Sequence, residues 1–177
     1  MIAQKEFYFI RHGQTDHNIS SVNLKTDHPH DISLNETGRS QAKRVEPVIA
    51  SLPIQTVCSS PLQRVRETKD LITVNIQVSH YEIENLGECS AEIWQEMRRN
   101  DHFSEESVAW GFLNRVREGI NQALLLPGPS LIVAHGGVHF ALCHLMDIKE
   151  HEWVIDNCVP VYFFVEGTGK WMAKKLN

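Results

Sequence analysis

The sequence predicts an α/β protein, a three-layer α/β/α sandwich around a mostly parallel central sheet. Phe7-Tyr8-Phe9-Ile10 and Leu131-Ile132-Val133-Ala134 are short, continuous apolar runs, the pattern of strands buried on both faces of a parallel sheet. Each runs straight into a histidine beside glycine, as Arg11-His12-Gly13 and His135-Gly136-Gly137. Between and around them strand-like segments alternate with segments of helical period, as βαβ units do. At 177 residues the chain suits one domain, 1–177, with a substantial core.

The elements follow in order. Phe7–Ile10 is the first strand, and polar 16–31, with His17, His28 and His30, reads as a surface loop. His28-Pro29-His30-Asp31 resembles metal-ligand spacing, but no distant cluster matches it, and no metal is expected there. Asn35 is placed to cap a helix to about Leu52, with Gly38, Ala42, Val45, Ile49 and Leu52 on one stripe and a kink or tilt at Pro47. Ile54–Ser59 is the second strand. Ser60-Pro61 then reads as a cap and a first-turn proline opening a helix that carries Leu62, Val65, Lys69 and Ile72 on one face. Ile76–Ile83 is the third strand, and 90–100 a polar helix. A longer helix over 105–126 ends at Pro127-Gly128-Pro129. After the Leu131–Ala134 strand come a helix over 138–146 and a hairpin of Val159–Val165 with Lys170–Lys175, turning at Gly167-Thr168-Gly169.

Composition excludes several function classes. A formal net charge of −5 disfavours a nucleic-acid or anionic-membrane partner. No apolar stretch approaches a membrane span, and the N-terminus lacks a signal-peptide layout. Cys58, Cys89, Cys143 and Cys158 are scattered without a CxxC pair, so they read as reduced, buried thiols of a cytoplasmic protein. A monomer or weak homodimer is expected.

The chemistry comes from coinciding strand ends. Two apolar strands deliver His12 and His135 at their C-terminal edges, where ligands sit in open α/β sheets. Arg64 falls in the first turn after a third strand, where helix N–H groups make an anion site; taken alone, that segment fits an exposed helix arginine equally well. Together with Arg11 these groups make an electropositive pocket suited to a phosphate. Guanidinium neighbours would lower a histidine's pKa and leave a ring nitrogen nucleophilic at neutral pH.

At this point the sequence resembles the histidine phosphatase superfamily, the phosphoglycerate mutase-like proteins. Arg11-His12-Gly13-Gln14-Thr15 with Asn18 is similar to its R-H-G-x-T-x-x-N signature, and 34–42 to its L-T-x-x-G-x-x-Q-A helix. Residues 59–68 match S-S-x-L-x-R-A-x-x-T with Val65 for alanine, and 134–137 match A-H-G-G. The resemblance implies a phosphoglycerate mutase-like fold and a metal-independent phosphomonoesterase without a cofactor. His12 would be the nucleophile, with phosphate held by Arg11, Asn18, Arg64, His135 and Gly136. The family's L-x-E-x-x-x-G-x-W-E-G segment reads here Leu86-Gly87-Glu88-Cys89-Ser90-Ala91-Glu92-Ile93-Trp94-Gln95-Glu96. Glu88 aligns with the proton donor and Glu92 competes four residues on, while Glu92 and Glu96 stand where the family has glycines.

A small phosphorylated substrate, such as an α-ribazole phosphate-like metabolite, is the expected partner. Phosphoglycerate mutase and a non-catalytic phosphate-binding domain are the other readings. Only 46 residues separate Glu88 from His135, so the segment around 89–104 is a short cap, which favours hydrolysis. His80, His102, His139, His144 and His151 are expected on surfaces or helix faces. Trp110, Trp153 and Trp171 are expected to pack, and Trp94 to line the pocket mouth.

Overall fold

The computed structural model describes residues 1–19, 31–99, 102–167 and 169–176. A six-stranded sheet lies at its centre, with helices on both faces. The strands are β1 (Phe7–Arg11), β2 (Thr56–Ser59), β3 (Ser79–Glu82), β4 (Ser130–Ala134), β5 (Pro160–Val165) and β6 (Trp171–Lys175). They are ordered β3-β2-β4-β1-β5-β6 across the sheet. β3, β2, β4 and β1 run parallel, while β5 and β6 run antiparallel at one edge.

The alternation within β1 builds both layers. Phe7 and Phe9 face a core made with α5 (Val108–Leu124) and α6 (Gly136–Leu145). Tyr8 and Ile10 face the other core, made with α2 (Glu36–Ala50) and α3 (Gln63–Ile72). Both faces being covered, the strand reads as one apolar run rather than an alternating one. Phe7 stacks on Phe163 of β5 at 5.0 Å between ring centroids.

The Asn35 cap is present, with its side chain accepting from the Gly38 N–H at 2.8 Å. Gly38, Ala42, Val45 and Ile49 are buried, and α2 runs through Pro47 to Ala50, so Leu52 lies beyond it. The third strand pairs over Ser79–Glu82, all exposed at the sheet edge, where it has β2 as its one neighbour in the sheet. The Ser60-Pro61 helix start is corrected. α3 begins at Gln63 with Leu62 in the cap position and no side-chain cap, and the Ser60 hydroxyl is engaged elsewhere. α5 starts at Val108 with Ser107 as its cap, donor to it being the Trp110 N–H at 3.1 Å. α6 starts two residues earlier than its apolar pattern indicates, which puts His135 at its N-cap position.

The polar helix is α4 (Ala91–Arg99). Where the family has glycines, Glu92 and Glu96 sustain helix here, and Glu96 accepts from the Ala109 N–H in the first turn of α5 at 3.1 Å. The loop after β1 includes a short helix, α1 (Asp16–Ile19). His28-Pro29-His30, Asn100 and the Thr168 turn position lie outside the described residues. All four cysteines are buried and free, and among the described residues no helix is long and apolar enough to cross a membrane.

Candidate active site

His12 follows β1 and is anchored by its backbone. Its N–H donates to the Ala134 carbonyl at 3.0 Å, and its carbonyl accepts from Asn157 Nδ2 at 2.8 Å. The ring Nδ1 lies 2.7 Å from the Gly13 carbonyl. A carbonyl only accepts, so Nδ1 carries the proton and Nε2 carries the lone pair. Arg64 Nε–H donates to that Nε2 at 3.2 Å. The His12 pKa is lowered to about 3, chiefly by burial, then by Arg64 and Arg11, against the opposing Gly13 bond. The neutral ring expected from the sequence is present, but burial rather than guanidinium charge is its main cause.

Two motif glycines set this geometry. A Cβ on Gly13 would stand 2.6 Å from the Gly38 carbonyl oxygen, and one on Gly38 would stand 2.1 Å from that of Gln14. The strand end and the first turn of α2 therefore touch backbone to backbone, closer than any side chain allows. Gly13 N–H donates to Thr68 Oγ1 at 3.0 Å, and Thr68 donates to the Arg64 carbonyl at 2.7 Å. Gln41 accepts from the Gln14 N–H at 2.9 Å.

Arg64 is buried, which removes the exposed-helix reading. Its Nη2 donates toward His135 Nδ1 at 3.3 Å. That ring therefore holds its proton on Nε2, which donates to Ser60 Oγ at 2.9 Å. His135 is fully buried, and burial, then His12 and the arginines, push its pKa well below the usual value. The His12 and His135 ring centroids are 5.2 Å apart.

Arg11 points into the same space. Its Nη1 donates to the Ile155 carbonyl at 2.7 Å, while its buried Nε has no partner among the described residues. Its guanidinium lies against Gly136, where a Cβ would stand 3.4 Å from Nε. An orphaned, buried guanidinium N–H is a donor waiting for an anionic acceptor.

Glu88 sits across from it. Its Oε1 accepts from the Cys89 N–H at 3.0 Å and from the Gly137 N–H at 3.1 Å, at the start of α6. A Cβ on Gly137 would stand 2.3 Å from Oε1, so only glycine leaves room for the carboxylate there. Arg115 of α5 fixes the segment from behind, donating to the Gly87 and Glu88 carbonyls at 3.0 and 3.1 Å. Glu92 is exposed on α4 and lines neither of the two clefts that Glu88 borders.

Two clefts meet at Arg11 and Glu88. One, of about 160 Å³, is lined by His12, Thr15, Asn18 and Arg64 as well. Asn18 Oδ1 accepts from Thr15 N–H at 2.9 Å, which leaves its amide N–H groups for a ligand oxygen. The other, of about 330 Å³, is walled by Trp94, Cys89, Gly136, Gly137, Val154 and Ile155. The smaller cleft, lined by two guanidinium groups and the His12 imidazole, has the charge pattern that suits an anion.

The structure thus gathers Arg11, His12, Asn18, Arg64, Glu88, His135 and Gly136 at one sheet edge. Trp94 lines the larger cleft as expected, while Trp171 is buried against Phe7 at 5.9 Å. The sequence reading missed Ser60, Thr68 and Arg115 as supports, together with the loop over 147–157 that supplies the Ile155 carbonyl and Asn157. His139 lies on a helix, α6, as one of the two expected placements had it, and the face that carries it is fully buried. α6 is apolar nearly all round, and that was the available signal.

A family model described as histidine phosphatase superfamily (branch 1) matches residues 7–112. Agropine synthesis reductase of Rhizobium rhizogenes is 29% identical over 186 residues, covering 96% of this chain and 41% of that protein. The chain spans about two fifths of the length of such curated relatives. A Schizosaccharomyces pombe protein named as a probable phosphatase is 34% identical over 79 residues, 44% of this chain and 33% of that protein. Among solved structures, mycobacterial glucosyl-3-phosphoglycerate phosphatase matches with a TM-score of 0.73 at 19% identity, covering 97% of this chain and 98% of that one. An Escherichia coli protein assigned as an alpha-ribazole-5'-P phosphatase matches with a TM-score of 0.71 at 18% identity, covering 99% and 97%.

Proposed function

The chain belongs to the histidine phosphatase superfamily, and from that premise we propose that it is a metal-independent phosphomonoesterase working through a phosphohistidine on His12. The observation that carries this reading is the tautomer of His12. The Nδ1–H bond to Gly13 leaves an unprotonated Nε2, and His12 lines the cleft where Arg11 and Arg64 meet Glu88.

In the first step His12 Nε2 bonds to phosphorus and the bond to the leaving oxygen breaks. Glu88, which borders both clefts, gives that oxygen a proton as the alcohol departs. Arg11, Arg64 and Asn18 hold the three remaining oxygens, His135 keeps the Arg64 guanidinium in place through Nδ1, and the Gly136 backbone at the start of α6 completes the cradle. In the second step water attacks phosphorus, Glu88 takes the water's proton, the N–P bond breaks and inorganic phosphate leaves.

The larger cleft supports a leaving group with an apolar ring face, since Trp94, Val154 and Ile155 form its walls. A phosphate carried on a sugar or nucleoside-like alcohol has that character, and α-ribazole phosphate is the named candidate to try first. The short cap expected around 89–104 favours hydrolysis over mutase chemistry. A cytoplasmic enzyme with reduced thiols, monomeric or weakly dimeric, fits the same reading.

The test is His12→Ala, assayed on a panel of sugar, nucleoside and alkyl phosphates with labelling of the intermediate. Turnover and acid-labile phosphate on the protein are both expected to disappear while the fold persists. Turnover at the parent rate in this variant overturns the mechanism.

A further inference from the structure

His139 and Cys143 stand one turn apart on α6 and therefore face the same side. His151 comes from the loop after that helix, and one donor atom from each of the three lies within 4.8 Å of the other two. His139 Nδ1–H donates to the Trp153 carbonyl at 2.9 Å, so Nε2 carries the lone pair. His151 Nε2 is 3.2 Å from it. Two imidazole nitrogens on one tetrahedral zinc ion, each at about 2.0–2.1 Å, stand about 3.3 Å apart. Cys143 Sγ has only a 4.0 Å contact to His139 Nδ1. A sulfur bound to the same ion would stand about 3.6 Å from each nitrogen, and rotation of the Cys143 side chain toward the two Nε2 atoms completes the set.

We propose that His139, Cys143 and His151 bind a zinc ion, apart from the phosphate cleft, that fastens the 147–157 loop to α6. None of the three lines either of the two clefts that meet at the active site. Two imidazoles and a thiolate select zinc over the oxygen-seeking magnesium and calcium. The Trp153 carbonyl orients His139 as an outer partner of a metal-bound imidazole does. Phe9 and Phe163 close one side, with ring centroids 5.4 and 5.8 Å from that of His139. His139 and Cys143 are buried while His151 is partly exposed, so the fourth position opens toward solvent for a water.

Binding is a proton-for-metal exchange without redox change. Zinc takes the Cys143 sulfur and the thiol proton leaves to solvent; His151 gives up its Nε2 proton and takes one on Nδ1 through solvent, and two Zn–N bonds replace the His139–His151 hydrogen bond. Lys175, whose charge opposes a cation here, is paired with Glu152 at 2.6 Å. No phosphoryl step passes through this ion. Its effect reaches the site through the loop, because the same loop gives Ile155 O to Arg11 and walls the larger cleft with Val154 and Ile155.

The experiment titrates the EDTA-treated, dialysed protein with Co²⁺ as a spectroscopic probe, then displaces it with Zn²⁺. One Co²⁺ per chain is expected, with a near-ultraviolet thiolate-to-cobalt charge-transfer band and intense visible bands of tetrahedral cobalt. Cys143→Ala should abolish the charge-transfer band, whereas Cys89→Ala, which removes the thiol beside Glu88, should keep it. His151→Ala, at a partly exposed position that the fold tolerates, should weaken Zn²⁺ binding more than about 100-fold, beyond the loss of an outer partner. Zn²⁺ should raise the Tm of the parent and not that of His151→Ala. Absence of the charge-transfer band, its survival in Cys143→Ala, or unchanged Zn²⁺ affinity in folded His151→Ala overturns the proposal.

Discussion

Gly137→Ala removes nothing from the site and should nevertheless disable proton transfer. The added methyl would stand 2.3 Å from Glu88 Oε1 and 2.7 Å from Cys89 Sγ, whereas ordinary contact begins at 3.4 Å. The carboxylate must therefore retreat by about 1 Å or rotate off the Gly137 N–H, and a displacement of that size costs around 10²-fold when it falls on an acting group. General acid catalysis as a whole contributes about 10²–10⁴-fold. The expected loss in kcat is thus about 10²-fold on an alkyl phosphate, whose leaving oxygen needs a proton. On p-nitrophenyl phosphate, which departs without one, it should be under about 10-fold. Gly136→Ala is the companion, since its methyl would come no closer than 3.4 Å to its nearest neighbour, the Arg11 side chain. It should give a smaller loss, equal on both substrates. Steady-state kinetics on the two esters measures both variants. A folded Gly137→Ala enzyme that keeps its alkyl phosphatase activity, or loses both activities equally, refutes Glu88 as the acid held by that N–H.

Three further outcomes follow from the geometry. Arg115→Gln should loosen the Glu88 backbone and lower kcat on alkyl phosphates about 10-fold with KM nearly unchanged; an equal rise in KM instead would show that Arg115 serves binding. Phosphatase activity should persist in EDTA and be competitively inhibited by vanadate, and a strict requirement for added Mg²⁺ would overturn the charge-based mechanism. Stability should fall as pH drops below about 6.5, because unfolded histidines take up protons that His12, at about 3, and His139, at about 4, refuse when folded. His135, pushed well below its usual value, adds to this. Each contributes about 1.4 kcal/mol per pH unit between roughly pH 6 and pH 4, and urea titrations in EDTA that show flat stability over that range contradict it.

What could be read from the sequence was local. Phe7–Ile10 and Leu131–Ala134 announced their burial by composition alone, and the histidines that end them had no other place to go than the sheet edge. Asn35 and Arg64 were legible for the same reason, lying within one helical turn of their signals. The supports were not legible, because their partners are remote in sequence. Arg11 meets the Ile155 carbonyl 144 positions away, and Asn157 meets the His12 carbonyl 145 positions away. Ser60 was misread because a serine before proline fits a helix cap, and its competing partner, His135, is 75 positions on. The third strand was overextended since Ile76 and Val78 keep the alternation of a strand while lacking a second neighbour to pair with. Glu88 and Glu92 could not be separated by spacing alone; the Gly137 N–H and Arg115 put only Glu88 in the cleft.

β1 lies between β4 and β5, both formed by the last third of the chain. Its register with β4 joins Phe7 to Ser130, and that with β5 joins Phe7 to Phe163. Such pairings close very long loops and are slow to form, whereas the α2 and α3 helices need only near neighbours. During synthesis His12 therefore stays unaligned until β4 and β5 have been made. Arg11 and His12 meet His135 through the pairing of β1 with β4, so the cleft takes shape as these long-range pairings close.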